Sequence, residues 1–491
     1  MKMKSNRNER WAQEVQPLVD EYLARVRCHV RLLPRHMALM LEDHENALIA
    51  LNMRGLSLEE AIKRLNPARL GDFYRVERKD WYPLDHAAKI YPLSMNLKRM
   101  PVFRLSGYLK DPVIPEILQM SLTYTMKRFP YFATTIKSGF FWHYLDSTMR
   151  RFTVRPETKL PCAVMRVNAG TSPSLRVVYY ENRVSVEFFH ILTDGLGGSV
   201  FLRTLLREYL RLLGHRIPAG SGIFSARSFP EPKEWRDDFI IGDRSRKARG
   251  FMDRRALQIR GALAYEQPCR VLHYNLSVAA LLQKAKEMGC TVTALMMGYL
   301  ILACKEAVAF RWGRRKIQIQ MPVNMRKFYH SSTLRNFSMY CSIRLHPEEI
   351  TTLAAILPGI TAQMKEGGSK KNLDRTIHLS RRLVRLLRFV PLIIKRPIAY
   401  LVYGSLADPL FTTTLSNLGT ITLPAEMASL VEKFDFVLGP PITNRVACAL
   451  CSYEDHAVFT VTKNTQTPTF ENALYHLLAK DGLTPYMEGS D

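Results

Sequence analysis

The stretch from Leu175 to Leu210 limits the fold of this 491-residue chain more than any other part of it. Leu175 to Tyr180 is rich in β-branched and aromatic residues, Glu181-Asn182-Arg183 reads as a turn, and Val184 to Phe189 reads as the returning strand. A helix then begins near Gly198, with Val200, Phe201, Leu205, Leu206 and Leu210 apolar at helical spacing. A hairpin feeding straight into an amphipathic helix is a building unit of α/β proteins, because the helix must bury its apolar stripe on the sheet it has just left.

The joint between strand and helix is chemically unusual. It reads His190-Ile191-Leu192-Thr193-Asp194-Gly195, and of thirteen histidines this is the only one followed by Asp at the fourth position. A neutral imidazole takes a proton from a hydroxyl near pH 7, and a carboxylate four residues on can brace the turn that aims it. Taken alone, the pair reads equally as a packed core histidine before an Asp-Gly turn. The strand-to-helix setting favours the functional reading, since a side chain there can be accessible while its backbone is rigid.

Phe189-His190-Ile191-Leu192-Thr193-Asp194-Gly195 resembles the HHxxxDG signature of the CoA-dependent acyltransferase superfamily, which includes chloramphenicol acetyltransferase, BAHD acyltransferases and condensation domains. The resemblance is closest to the bacterial alcohol acetyltransferase-like branch. It extends to Tyr91-Pro92 with Phe103-Arg104-Leu105-Ser106, to Arg128-Phe129-Pro130-Tyr131-Phe132, to Gly139-Phe140-Phe141-Trp142 and to Leu415-Ser416-Asn417-Leu418-Gly419. One position departs: Phe189 stands where the signature has its first His.

The resemblance implies an α/β fold of two chloramphenicol-acetyltransferase-like lobes, each a mixed sheet flanked by helices. It also implies direct acyl transfer from a thioester to an alcohol hydroxyl without an acyl-enzyme. His190 would be the general base, and Asp194 and Gly195 would form the turn. Arg326, at the end of an apolar run, is the expected partner of Asp194. Acyl-CoA enters as co-substrate, with no permanently bound cofactor and no metal. Asn336 reads first as a turn residue and in the alternative as a channel or oxyanion-site residue, whereas Ser416 and Asn417 are placed by the resemblance near the reaction channel as candidate oxyanion donors. Two alternatives remain: an acyl chain delivered on an acidic carrier protein to a hydroxyl or amine, and a non-catalytic relative that binds a lipid or partner.

Punctuation along the chain gives the organisation. Residues 1–79 read as a separate helical extension, with a break at Leu33-Pro34, a stop at Gly55 and a capped restart at Ser57-Leu58-Glu59-Glu60. Residues 80–213 form the first lobe. A Gly/Ser/Pro-rich and then charge-dense stretch over 214–268 reads as a crossover, and 269–491 as the second lobe.

Charge supplies the other global constraint. Seventy Lys and Arg against 44 Asp and Glu leave a formal +26, which attracts anions in general. No zinc-finger spacing, RNA-binding aromatic signature or helix-turn-helix pattern directs that charge to nucleic acid. CoA phosphates, an acidic carrier and an anionic membrane remain. The run His378 to Arg396 reads as a basic amphipathic helix, suited either to acidic lipids or to docking on the second lobe with its arginines in water. The polar start of the chain has no signal-peptide core and the eight cysteines are scattered, so a cytoplasmic location is expected, with peripheral contact at the inner membrane face left as an open alternative. Cys448 and Cys451 read as packing residues and not as a zinc pair.

Overall fold

The computed structural model describes residues 2–69, 81–94, 100–148, 150–165, 173–220, 222–241, 255–266, 268–308, 313–402, 410–440 and 444–489. Three helices lead the chain: α1 (Lys2–His29), α2 (Pro34–Met53) and α3 (Leu58–Arg64). Pro34 opens α2 where its missing N–H costs nothing, Ser57 caps α3 by accepting from the Glu60 backbone, and Gly55 turns between them at φ 90°. The first lobe comprises β1 (Trp81–Pro83), α4 (Tyr91–Ser94), β2 (Val102–Leu109), α5 (Pro115–Arg128), β3 (Thr134–Ser138), β4 (His143–Ser147), β5 (Val154–Pro156), β6 (Leu175–Tyr180), β7 (Arg183–Phe189) and α6 (Gly195–Leu212).

The second half of the chain supplies β8 (Arg270–Ser277), α7 (Val278–Glu287), α8 (Val292–Ala307), β9 (Ile317–Asn324), α9 (Arg326–Tyr329), β10 (Ser338–Leu345), α10 (Leu353–Gly367), α11 (Lys370–Leu386), α12 (Leu392–Val402) and β11 (Thr413–Thr420). It ends with α13 (Ala425–Ala428), β12 (Val431–Leu438), β13 (Val446–Tyr453), β14 (His456–Lys463), α14 (Thr469–Lys480) and β15 (Tyr486–Gly489). Two mixed sheets organise these elements, a five-stranded one ordered β12-β2-β7-β6-β5 and a seven-stranded one ordered β10-β9-β11-β13-β14-β8-β15. A small β1-β4-β3 sheet stands beside them. The expected two-lobed α/β architecture is present.

Two boundaries differ from the expectation. The strand β12, assigned by its place in sequence to the second lobe, pairs antiparallel with β2 along Leu109 to Phe103 and so completes the first lobe's sheet. An otherwise open β2 edge would leave a row of backbone donors and acceptors unpaired beside a hydrophobic core. Nor is the helical extension separate. Tyr22, Leu48, Leu51 and Ala61 share one continuous core with Phe103, Phe188 and Phe201, and Arg69 pairs with buried Glu208 of α6 at 2.9 Å. The junction at residues 70–80 and the charged segment at 242–254 lie outside the described residues.

The α6 helix starts at Gly195, three residues earlier than its apolar pattern suggests, because Asp194 caps it by accepting from the Gly197 backbone at 3.2 Å. Gly197 itself is fixed by a close approach. A Cβ there would collide with the Leu334 carbonyl oxygen and with Thr193 Oγ1, where the second lobe's loop crosses the helix start. Gly197→Ala is therefore expected to lower stability by about 1–3 kcal/mol. Gly359→Ala, on the exposed face of α10 with nothing within 4 Å of its added carbon, is expected to be neutral or slightly stabilising. Urea unfolding midpoints of the two variants check both.

Candidate functional site

The site is assembled at the C-terminal end of β7, where the two lobes meet. β7 is central, between β2 and β6, so His190 follows a strand whose backbone is held on both sides. The His190 amide itself donates to the Pro101 carbonyl at 2.8 Å. Its ring is half-buried between Tyr91 of α4, 4.8 Å away and tilted by 32°, and the edge of Phe103, at 5.2 Å. Phe189, the departure from the two-His signature, is fully buried in the first lobe's core while the ring of His190 reaches the lobe boundary.

Asn336 decides the protonation pattern of that ring. Its Nδ2 donates to the His190 carbonyl at 3.0 Å and to Asp85 Oδ2 at 3.1 Å, both of which only accept here. The amide orientation is thus fixed by its partners, and Oδ1 is what faces His190 Nδ1, at 2.9 Å. An acceptor at Nδ1 places the proton on Nδ1 and leaves the Nε2 lone pair available. Among the described residues Nε2 has no hydrogen-bond partner and is not sealed from solvent. Asp85 is itself held, accepting from the Ala88 backbone at 2.7 Å and facing Arg335 Nε at 3.5 Å.

Asp194 does not touch the imidazole. It is buried, and Arg326 grips it bidentately, Nη1 to Oδ2 at 2.8 Å and Nη2 to Oδ1 at 3.0 Å. The Phe337 backbone and the Ser338 hydroxyl donate to the same Oδ2 at 3.0 and 2.9 Å. Burial alone would raise this carboxyl. The Arg326 charge and the hydrogen bonds from Arg326, Phe337 and Gly197 outweigh it and hold the group below its ordinary value of 3.8. The remaining Arg326 donors reach the carbonyls of Thr333 at 2.8 Å and Arg335 at 2.6 Å and the Asn324 side-chain oxygen at 3.3 Å. One guanidinium therefore ties the helix start of the first lobe to the 333–338 segment of the second, and that segment carries Asn336 to His190.

The sequence-predicted residues divide accordingly. His190, Asp194, Arg326 and Asn336 are brought together, the last as the histidine's hydrogen-bond partner and not merely as a turn residue. Gly195 lies in the same turn, with the Leu418 side chain 3.3 Å from where its Cβ would stand. Asn417 is committed elsewhere: Nδ2 donates to Thr293 Oγ1 at the start of α8 and Oδ1 accepts from the Gly419 backbone, each at 2.8 Å. The second Nδ2 proton of Asn417 has no partner among the described residues. Ser416 alternates with buried Leu415 on β11, and its hydroxyl has no partner among the described residues. Asp85 and the stacked Tyr91 were not identified as site residues from sequence. Tyr91 lay in a recognised dipeptide, whereas Asp85 has no local pattern to mark it. Cys448 packs in the second lobe's core and Cys451 in the first's, as an odd spacing on one strand requires. A cavity of about 530 Å³ between α2 and the β5–β6 edge, with Arg35, Arg150, Arg155 and Lys159 on its wall, is separate from this constellation.

No family model matches the sequence, and no curated protein matches it in a sequence search. Solved structures do match the fold. The trichothecene 15-O-acetyltransferase of Fusarium sporotrichioides is 12% identical with a TM-score of 0.53, over 82% of this chain and 94% of that one. A second F. sporotrichioides protein, solved with coenzyme A and T-2, is 11% identical with a TM-score of 0.55, over 83% and 100%. The starter condensation domain of rhizomide synthetase, solved with C8-CoA and Leu-SNAC, is 13% identical with a TM-score of 0.53, over 83% and 96%. The chain has the two-lobed fold shared by CoA-dependent acyltransferases and condensation domains.

Removing one partner of the buried Asp194–Arg326 pair is expected to cost about 3–5 kcal/mol. Arg326→Lys should cost nearly as much as Arg326→Leu, because a point charge cannot replace the fork. A double-mutant cycle with Asp194→Asn measures the coupling. A carboxyl with a depressed folded-state value contributes stability above pH 3.8 that is lost as pH falls through the folded-state value. The melting temperature of the parent should accordingly drop more steeply below pH 4 than that of Asp194→Asn.

Proposed function

We propose that this protein is an acyl-CoA-dependent O-acyltransferase in which His190 Nε2 is the general base. The observation that carries the reading is the Asn336 contact at Nδ1, which leaves an unoccupied lone pair on Nε2 at the boundary of two lobes whose fold is that of thioester-using transferases. Nε2 takes the proton of an acceptor hydroxyl as its oxygen attacks the thioester carbonyl carbon. The tetrahedral intermediate then expels the sulfur, the C–S bond breaks, and the imidazolium returns its proton to the leaving thiolate. Atoms and charge balance with no covalent enzyme intermediate.

Asn336 acts as a positioning residue. It holds the productive tautomer and ring plane, and Asp85 holds it in turn. Tyr91 and Phe103 keep the ring from rotating and exclude water from its faces. Asp194 serves only to fix the turn through Arg326. Ser416, with a hydroxyl not committed to other protein groups, and the second Nδ2 proton of Asn417 are the candidate donors to the developing oxyanion. Delivery of the acyl group on a carrier protein uses the same base, and the condensation-domain neighbour supports keeping it as a second donor arm in the assay.

His190→Ala is expected to lower CoA release from acyl-CoA plus an alcohol by about 10²–10⁴-fold, with an unchanged melting temperature. Release as fast as the parent's would refute the base assignment. Asn336→Ala is expected to reduce kcat by about 100-fold with little change in KM for the thioester, because it loosens the base and not the substrate. A carrier-loaded thioester compared with free acyl-CoA identifies the donor.

A further inference from the structure

The basic run seen in the sequence is not one helix but two, α11 and α12, broken at Leu387–Pro391. Its first half is docked as a soluble helix should be. Leu373 and Ile377 are buried in a small core with Phe239, Met325 and Phe337. Beyond Leu383 the pattern inverts and large apolar side chains face outward: Leu386 is 70% exposed, Phe389 69% and Ile393 82%. The β3–β4 turn adds Phe140, 71% exposed. These belong to one surface, since the Leu392 backbone donates to the Phe140 carbonyl at 2.8 Å, and the Phe141 ring lies 4.8 Å from Phe140 and 6.3 Å from Phe389.

The charge on this surface has a single sign. From Arg375 to Val402 the chain contains no acidic residue, and Arg382, Arg385, Arg388 and Arg396 are exposed around the apolar side chains, without a carboxylate partner among the described residues. A protein interface core is depleted of charge and usually faces complementary carboxylates, whereas apolar side chains ringed by arginine fit the boundary between lipid phosphates and acyl chains. Among the described residues no single helix is long and apolar enough to cross a membrane, so this face can lie on a bilayer but not span it.

We infer that the α11–α12 elbow and the β3–β4 turn dock on an anionic bilayer. The position of the surface gives it a use. α12 packs against α4, and α4 carries the Tyr91 ring that covers His190. Resting on the acyl-transfer reading, this geometry gives the water-insoluble substrate, a long-chain alcohol or lipid hydroxyl, a lateral route from the bilayer to the base, while CoA arrives from solvent.

Flotation of the full chain with vesicles tests the docking without reference to activity. The parent is expected to float with vesicles of phosphatidylcholine plus phosphatidylglycerol and not with phosphatidylcholine alone. Binding should fall by at least about tenfold in the Phe389→Glu/Ile393→Glu pair and in the Arg385→Glu/Arg388→Glu pair, and stay unchanged in Met53→Glu on α2. Unchanged melting temperatures exclude unfolding of these exposed-site variants. Binding that neither pair weakens overturns the inference, as does a parent that ignores both vesicles but forms an oligomer dissolved by the same substitutions. Turnover then separates the two readings. If vesicles bind and no alcohol releases CoA, acyl transfer fails and docking stands. If CoA is released from a vesicle-embedded long-chain alcohol equally fast at either lipid charge, the lateral route fails.

Discussion

Everything at the lobe boundary depends on one guanidinium. Arg326 closes a ring of hydrogen bonds with Asp194 and the carbonyls of Thr333 and Arg335, while Asp194 simultaneously caps α6 and accepts from Phe337 and Ser338. An ionised carboxylate and a guanidinium out of water are tolerable only when every donor and acceptor is matched, and here the pair comes close to that. The consequence is geometric. The two sheets are tied together where a side chain of the second lobe reaches a ring of the first within hydrogen-bond distance.

That arrangement explains the division of labour between two residues that the sequence presents side by side. His190 and Asp194 lie four positions apart, yet they do not meet. The histidine's partner comes from 146 residues further along the chain. The acid acts on the backbone of a neighbouring segment, and the base is oriented by an amide, which cannot itself take up the proton. Under the mechanism proposed for His190, a neutral orienting group suits a base that must be unprotonated when a hydroxyl arrives.

Much of this was legible in the sequence where chemistry is local. The hairpin, the His190 turn, the helix after it and the Ser57 cap all follow from patterns within a few residues. Even the long-range Asp194–Arg326 pair was accessible, because the family resemblance called for an Arg partner, although a strand-terminal Arg by itself reads equally as a surface residue. Asn336 and Asn417 show where such reading stops. Both are asparagines beside apolar β-rich segments with equal turn propensity, and only the packing of the lobes sends one to a histidine and the other to the Thr293 hydroxyl. The placement of β12 was illegible for the same reason. A strand carries its own period, but the identity of the edge it joins lies in the partner's unmet hydrogen bonds.

That borrowed strand also shapes how the molecule comes into being. Because Val431–Leu438 completes the sheet begun by Val102–Leu109, the first lobe emerging from a ribosome holds an unfinished edge until nearly nine-tenths of the polypeptide has been made. The first lobe's sheet is not completed by its own half of the chain, and the His190 ring meets Asn336 only after about two-thirds of the polypeptide has been made.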